Sequence, residues 1–164
     1  MAILETNIRK KLIELVGGMR IADNFNFDWY ASNPSAWDEN LTDGYPFAFV
    51  EPGDETNLDE QGAVNGGIYT NDFPFTIYCR IDYDETKITD EIRPVDQIED
   101  EIDKALQDLK RLFGNNVCLD DTVFSCWYTG SRRGILPQEK ALGILAFDLL
   151  CRYRQQRREP EILR

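Results

Sequence analysis

Clustered carboxylates are the residues of this chain whose type and spacing come closest to a chemical site. Asp82 and Asp84 share one face of an alternating segment with Arg80, and Glu85 follows directly. Such groups can bind a hard cation or act as an acid–base pair. The segment lacks the turn glycine and the distal glutamate of a calcium-binding loop. We therefore interpret Arg80 and Asp82 as a surface ion pair, with a metal site as the alternative.

The other candidates for catalysis lack partners. Asp120 and Asp121 precede a strand-like segment in which adjacent side chains point apart, so a turn or capping role is favoured. The chain has no histidine, so nucleophile candidates have no histidine to activate them. Gly62, Gly66 and Gly67 could suggest a glycine-rich phosphate-binding loop. Their acidic neighbours would repel a bound anion, so such a site is disfavoured. We predict a protein that is not an enzyme and holds no cofactor or metal; the alternative is a carboxylate-dependent or metal-dependent small enzyme.

The charge balance disfavours a conventional nucleic-acid binder. The chain has 18 basic and 30 acidic residues and a formal net charge of -12, so a polyanion is repelled on average. Four arginines near the C-terminus stand out against this background: Arg152, Arg154, Arg157 and Arg158. These arginines have three interpretations: contact with phosphate, pairing with the acidic surface of a neighbouring copy, or a simple solvated tail. The acidic charge elsewhere favours the second over the first.

Length and apolar content predict one soluble domain. A chain of 164 residues with 42% hydrophobic residues is long enough to bury a real core. It contains no apolar run of about 18 residues, and its first residues lack the pattern of a signal peptide. Its four cysteines are scattered, which favours buried free thiols over a disulfide or metal site.

One strand and one helix form the predicted centre of the fold. From Phe73 to Tyr83 every odd position is apolar or aromatic, the period of a strand with one buried face. The apolar residues between Val95 and Phe113 then recur at three- and four-residue steps, the period of an amphipathic helix. We expect this helix to lie on the odd-numbered face of the strand.

The remaining elements complete an α/β (α+β) fold. A helix is predicted from Ile3 to Val16, and strands from 24 to 31, 46 to 51, 122 to 128 and 142 to 153, with a turn at Gly130–Gly134. The prediction is a mostly antiparallel or mixed five-stranded sheet packed by two helices, in the order α-β-β-β-α-β-β. Residues 1–153 form the single domain, and residues 154–164 form an arginine-rich arm.

The connection between the second and third predicted strands is long and acidic. It runs from Gly53 to Asn71 and carries Asp54, Glu55, Asp59 and Glu60. A loop of this length inside a compact domain is usually functional or disordered. We predict a flexible, extended hairpin arm, with a tolerated insertion as the alternative.

The last predicted strand is apolar on both faces. Its even positions include Leu142, Ile144 and Leu150, while its odd positions are equally apolar. Such a strand is central or meets something on each side. We expect the even face to be covered by the first helix or by a neighbouring subunit, and we take these three residues, with Arg154, Arg157 and Arg158, as candidate subunit contacts.

The layout of elements resembles a known family. An N-terminal helix, the short strand Pro46-Phe47-Ala48-Phe49, a long acidic connection, the strand Phe73-Pro74-Phe75-Thr76-Ile77-Tyr78, a helix and two further strands follow one another. In element order and length, nearly the whole chain is similar to the tail terminator (tail completion) proteins of long-tailed bacteriophages. Other head–tail neck or connector components share this size and order and are the alternative.

The resemblance implies a non-enzymatic virion protein that assembles in the host cytoplasm as a homo-oligomer, a six-membered ring. The ring would cap the head-proximal end of the tail tube, with tail tube protein and a head-side connector as partners. It implies that DNA passes through the lumen without specific binding. An acidic wall suits this passage, and the candidate lumen or partner contacts are Asp54, Glu55, Asp59, Glu60, Asp82 and Asp84.

Overall fold

Alternating burial defines the centre of the molecule, as the sequence predicts. The computed structural model describes residues 4–32, 46–58, 68–82, 91, 93–120, 122–136, 142–156 and 162–163. Among the candidate contact residues, Asp59, Glu60, Asp84, Arg157 and Arg158 lie outside this described part. Within it, every odd position from Phe73 to Ile81 is buried and the even positions between them are half-buried.

The helices and strands form one α+β domain. The helices are α1 (Leu4–Gly17) and α2 (Pro94–Asn115), with a short 3-10 helix at Ile21–Asp23. The strands are β1 (Tyr30–Ser32), β2 (Phe47–Pro52), β3 (Thr56–Asn57), β4 (Ile68–Asp82), β5 (Ser125–Leu136), β6 (Leu142–Gln156) and β7 (Ile162–Leu163). The two-helix, mostly antiparallel α+β prediction is confirmed.

One mixed sheet joins all the described strands. Its continuous order is β1-β2-β4-β6-β5, with the short β3 pairing with β4 and the short β7 with β6. Only β1 and β2 are parallel. The long strands β4 and β6 pair over their whole 15-residue lengths, from Ile68 opposite Gln156 to Asp82 opposite Leu142. This pair forms the centre of the sheet.

Both helices pack on the same face of the sheet. α1 lies over β1 and β2, whereas α2 lies over β5 and β6 and reaches β4. Their apolar stripes meet the odd-numbered side chains of β4 and β6 in one core; Ile8, Leu12, Ile102, Leu109, Phe75, Ile77, Phe147 and Leu149 are among its fully or almost fully buried members. The expectation that α2 covers the odd face of β4 is therefore confirmed.

Gly143 allows α2 to lie close to the start of β6. A Cβ atom at this position would stand 2.6 Å from Cγ2 of Ile98 and 3.2 Å from Cδ1 of Ile102. Atoms at the first of these distances overlap, so only a residue without a side chain lets the N-terminal half of α2 approach the strand this closely.

Three predicted boundaries are wrong, each for a long-range reason. β1 begins at Tyr30 rather than at Asn24, which has a left-handed backbone (φ 66°), and the residues between them are held by α2 instead of by a strand. β5 starts at Ser125 and runs straight through Gly130–Gly134, where a turn was predicted. A register shift between Tyr128 and Gly130 accommodates the glycines while β6 keeps pairing.

The ends of the other strands also differ from the prediction. β6 continues to Gln156, so Arg154 lies in the sheet, past the predicted strand end at Tyr153. β4 begins at Ile68, inside the segment predicted as an arm. The two bridge pairs of β3, Thr56 with Asp72 and Asn57 with Asn71, make a hairpin of the described ends of that segment.

Candidate functional site

The face of the sheet opposite the two helices, here called the open face, is the candidate functional surface. Register places the even-numbered side chains of β4 and β6 on it, together with Phe47 and Phe49 from β2 and Trp127 and Arg132 from β5. No helix of the described part of the chain packs against it.

Aromatic pairs form the β1–β2–β4 side of the open face. The rings of Tyr30 and Phe47 stack with centroids 5.3 Å apart, and those of Phe49 and Tyr78 stack at 5.1 Å. Cross-strand aromatic pairs of this kind stabilise a sheet and leave flat apolar surface at its exposed side. Tyr30 remains 47% exposed, so this surface reaches solvent.

Aliphatic side chains continue this surface across β6. Leu142, Ile144 and Leu150 are half-buried on the open face, with Ala146 buried between them. α1 does not cover them, because it packs on the other face of the sheet over β1 and β2. Of the two covers expected from the sequence, the first helix is therefore wrong, and a neighbouring subunit stays a prediction.

Ion pairs lie beside and across the strip formed by Leu142, Ile144 and Leu150, here called the aliphatic strip. Arg152 donates from Nε and Nη2 to the two carboxylate oxygens of Asp72, at 2.8 and 3.0 Å. Hydrogen bonding to Asp72 holds the pKa of the Arg152 guanidinium above its ordinary value. Asp148 accepts from Thr76 at 2.8 Å and from Arg132 at 3.3 Å. These paired charges fix side-chain positions on the face without giving it a large net charge.

Arg80 and Asp82 form an ion pair at the end of β4. Nε of Arg80 lies 3.4 Å from Oδ1 of Asp82, and both side chains are partly exposed. The interpretation of these residues as an ordinary ion pair is thus confirmed. Asp120 sits in a turn and lies 2.7 Å from Nζ of Lys11, which agrees with the turn role predicted for it.

The described residues of the predicted acidic set do not come together. Asp54 and Glu55 are exposed between β2 and β3, near the start of β4, since Gly53 donates its N–H to the carbonyl of Pro74. Asp82 ends the same strand. At about 3.3 Å per residue, roughly 25 Å of extended strand lie between these two acidic positions.

Arginine and aromatic side chains meet at the far end of the open face. The guanidinium of Arg152 lies 5.1 Å from the ring centre of Trp127, and that of Arg154 lies 4.7 Å from the ring centre of Phe124. Both rings are exposed, Phe124 by 48% and Trp127 by 37%. Nε of Arg154 is buried and has no hydrogen-bond partner among the described residues. We call these four residues the Arg patch.

Acidic side chains cover the first half of the solvent side of α2. Asp96, Glu99, Asp100 and Asp103 are exposed there, and we call them the acidic helix face. Three of them make exposed ion pairs within the chain: Asp96 with Arg93, Asp100 with Lys104, and Asp103 with Arg133. Glu99 makes no hydrogen bond or salt bridge with any residue in the described ranges.

Asp108 forms a buried hydrogen-bonded cluster that sequence reasoning missed. Its side chain is 2% exposed and accepts the backbone N–H of Asn26 at 2.9 and 3.0 Å. It also accepts the side-chain amide of Asn26 and the indole N–H of Trp29, each at 2.9 Å. All these donors are neutral groups of one segment, so the carboxylate acts as a structural clamp. Its only sequence signal is an acidic residue beside the apolar stripe of a helix.

No helix in the described ranges has the length and apolar character needed to cross a membrane. The described residues also contain no group of three or more cysteine or acidic side chains placed to hold a metal ion.

Comparison with known proteins adds no assignment. No known family model matches the chain, and a search of curated proteins found no match either.

Proposed function

We propose that this protein is a ring-forming structural subunit of a phage virion, a tail terminator that caps the head-proximal end of the tail tube and takes part in head–tail joining. The proposal rests on the resemblance in element order and length together with one structural feature. That feature is a broad sheet whose two described helices pack on one face, while aromatic and aliphatic side chains occupy the other.

The open face supports an assembling subunit because contiguous apolar surface on a folded protein usually marks a contact site. The strip formed by Leu142, Ile144 and Leu150 lies between the aromatic pairs and the exposed Trp127. Ion pairs at its borders give the polar rim expected of a protein–protein interface. In the proposed assembly this face is buried by neighbouring subunits or by the tail tube.

The first experiment measures assembly directly. The purified protein is passed over a size-exclusion column with light scattering and is imaged by negative-stain electron microscopy. The expected result is a closed ring with a central hole, in keeping with the preference of homo-oligomers for closed symmetry. A particle that remains monomeric up to about millimolar concentration would exclude the ring.

The second experiment separates a terminator from another neck component. Phage lacking this protein is complemented with the wild-type chain and with a variant lacking Glu55–Gly67. The described part of that segment contributes two bridge pairs and no core residue, so the domain is expected to stay folded. Overlong tails without the protein support a terminator. Tails of normal length that fail to join heads support a connector instead.

The deletion also tests the arm. If residues 55–67 contact the tail tube, the variant folds and forms rings but leaves tails unjoined or irregular in length. Normal tails and normal infectivity with the variant would show that the segment is a tolerated insertion.

A further inference from the structure

We propose that the Arg patch of one copy binds the acidic helix face of the next copy, so that subunits associate head to tail. The inference rests on the proposed function, because it names the surfaces through which the ring's subunits meet. It uses Phe124, Trp127, Arg152 and Arg154 on one side and Asp96, Glu99, Asp100 and Asp103 on the other.

The Arg patch is a positive and partly apolar surface in an acidic protein. Arg152 is already paired with Asp72, so among the described residues the charge of the patch without a salt bridge is that of Arg154. Its guanidinium rests on the ring of Phe124, and its buried Nε has no hydrogen-bond partner in the described part of the chain. Because this Nε is closed to solvent, an incoming carboxylate would meet the rest of the charged guanidinium, with which it can form charge-assisted hydrogen bonds.

The acidic helix face offers the complementary groups. Glu99 is exposed and forms no hydrogen bond or salt bridge with a described residue, although its charge also acts on Arg93, which Asp96 binds. The three aspartates beside it are held only by exposed ion pairs, which stabilise little and exchange readily. A second arginine donor can therefore join them at small cost. The flat rings of Phe124 and Trp127 supply the apolar contact that such a charged pair needs around it.

The positions of the two surfaces require a head-to-tail contact. α2 meets the start of β6, where Ile98 lies against Gly143, and its acidic residues are exposed. The Arg patch lies at the other end of β6 and on the opposite face. Between Gly143 and Arg154 the strand extends about 35 Å at 3.3 Å per residue. One chain cannot join its own two surfaces, whereas successive copies can, and repetition of such a contact gives a ring if it closes.

A second copy suits the patch better than nucleic acid does. A net charge of -12 repels a polyanion and another copy alike at long range, so the preference for a copy rests on the local complementarity of the two surfaces. Another copy brings a locally acidic helix to the patch while its own patch meets the next copy, so favourable contacts accumulate with each subunit added.

Charge reversal and its compensation test the contact. Arg154→Glu and Glu99→Arg are made singly and together, and self-association of the full chain is followed by sedimentation velocity and light scattering across a protein dilution series. Each single variant places like charges opposite each other, so the midpoint of association is expected to rise about tenfold or more in protein concentration. In the double variant the two reversed charges lie opposite each other in every contact and attract again. Its association should therefore return to the wild-type level.

Matched controls keep the charge change and move it elsewhere. Lys10→Glu changes net charge as Arg154→Glu does, and Asp23→Lys changes it as Glu99→Arg does; both positions are exposed and belong to neither surface. The controls should associate like the wild type. Circular dichroism and thermal unfolding of each variant confirm that the fold is intact, so that loss of association is not loss of structure.

The outcomes distinguish this contact from the ring itself. Rings that form equally well in both single variants overturn the contact and leave the ring standing. The assembly could instead be an open filament or a dimer. If the single variants dissociate that assembly and the double variant restores it, the contact is supported and the closed ring is excluded. A double variant that associates no better than the singles overturns the contact. So does binding of fluorescent single-stranded DNA that Arg154→Glu abolishes while self-association persists, because the patch would then serve phosphate.

Discussion

The carboxylate of Asp108 in α2 accepts the indole N–H of Trp29 at 2.9 Å within the core. The same carboxylate accepts the backbone N–H and the side-chain amide of Asn26, so one acidic side chain binds two residues of the segment before β1. This segment follows α1 and the 3-10 helix, and it delivers β1 parallel to β2 at the edge of the sheet. Asp108 thus helps to hold the segment that leads into β1, together with Arg20 and Arg111.

Removing that carboxylate should destabilise the domain strongly. Asp108→Ala leaves the indole N–H of Trp29 and the backbone N–H of Asn26 without their acceptor, and we expect a loss of about 3 kcal/mol in the free energy of unfolding. Urea unfolding followed by tryptophan fluorescence measures it. Asp23→Ala, at an exposed position, is the control and should change stability by less than about 0.5 kcal/mol. Equal stability of the two variants would refute the clamp.

The close approach of α2 to β6 predicts a cost for any side chain at position 143. Gly143→Ala places a Cβ about where Ile98 already stands, and overpacking of this kind costs about 1–3 kcal/mol. Gly134→Ala is the control because open space surrounds that position. Combining Gly143→Ala with Ile98→Ala restores room, so thermal unfolding should show the two losses to be less than additive. Strict additivity would mean that the two residues do not touch.

The two faces of β6 should respond differently to the same charge. Leu149→Asp buries an unpaired carboxylate in the core and is expected to prevent folding. Ile144→Asp changes the open face, where the residue is half-buried, so the domain should fold with a loss of about 1–2 kcal/mol but associate poorly. Circular dichroism and light scattering separate these effects. Normal association of the Ile144 variant would show that this strip makes no subunit contact.

The thiols report the register of the sheet. Cys79, Cys126 and Cys151 are buried and Cys118 is exposed, all four being free. A native thiol assay should therefore find one rapidly reacting group per chain, and the Cys118→Ser variant should show none. Rapid labelling of Cys79 would indicate that β4 has slipped by one residue, since such a slip moves its entire odd set to the open face.

Stability should fall at alkaline pH because burial raises the pKa of the Cys79 thiol far above its ordinary value of 9.0. Below pH 9 the thiol is protonated in both states and has no effect. Above pH 9 the unfolded chain releases the proton while the native chain keeps it. Each further pH unit then removes about 1.4 kcal/mol of unfolding free energy for this one group.

The Cys79→Ala variant isolates that contribution. Its unfolding free energy should decline less steeply between pH 9 and pH 10.5 than that of the wild type, although it starts lower because a buried side chain has been shortened. Cys151 adds a similar decline in both proteins, since hydrogen bonding with Cys126 and burial raise its pKa. Parallel declines in the two proteins would show that the Cys79 thiol ionises freely in the native state.

The sequence by itself determined the elements whose signal is local. The alternation from Phe73 to Ile81 set one buried face of β4, and the spacing of Ile98, Ile102 and Leu109 set the buried stripe of α2. These periods are properties of adjacent residues in a regular backbone, so they are readable without knowledge of the fold. They sufficed for the α+β class and for the packing of α2 on the odd face of β4.

Tertiary structure alone decided where other elements begin and which side chains meet. Asn26 to Trp29 alternates like a strand but is held by Asp108, about 80 positions away in the chain. Gly130 to Gly134 reads as a turn but stays extended because β6 pairs with it residue by residue. The two described helices pack on one face of the sheet, which leaves the open face, and the pairing of β5 with β6 carries Arg154 onto Phe124. Such contacts depend on which distant segments the chain brings together, and local periodicity carries no information about that.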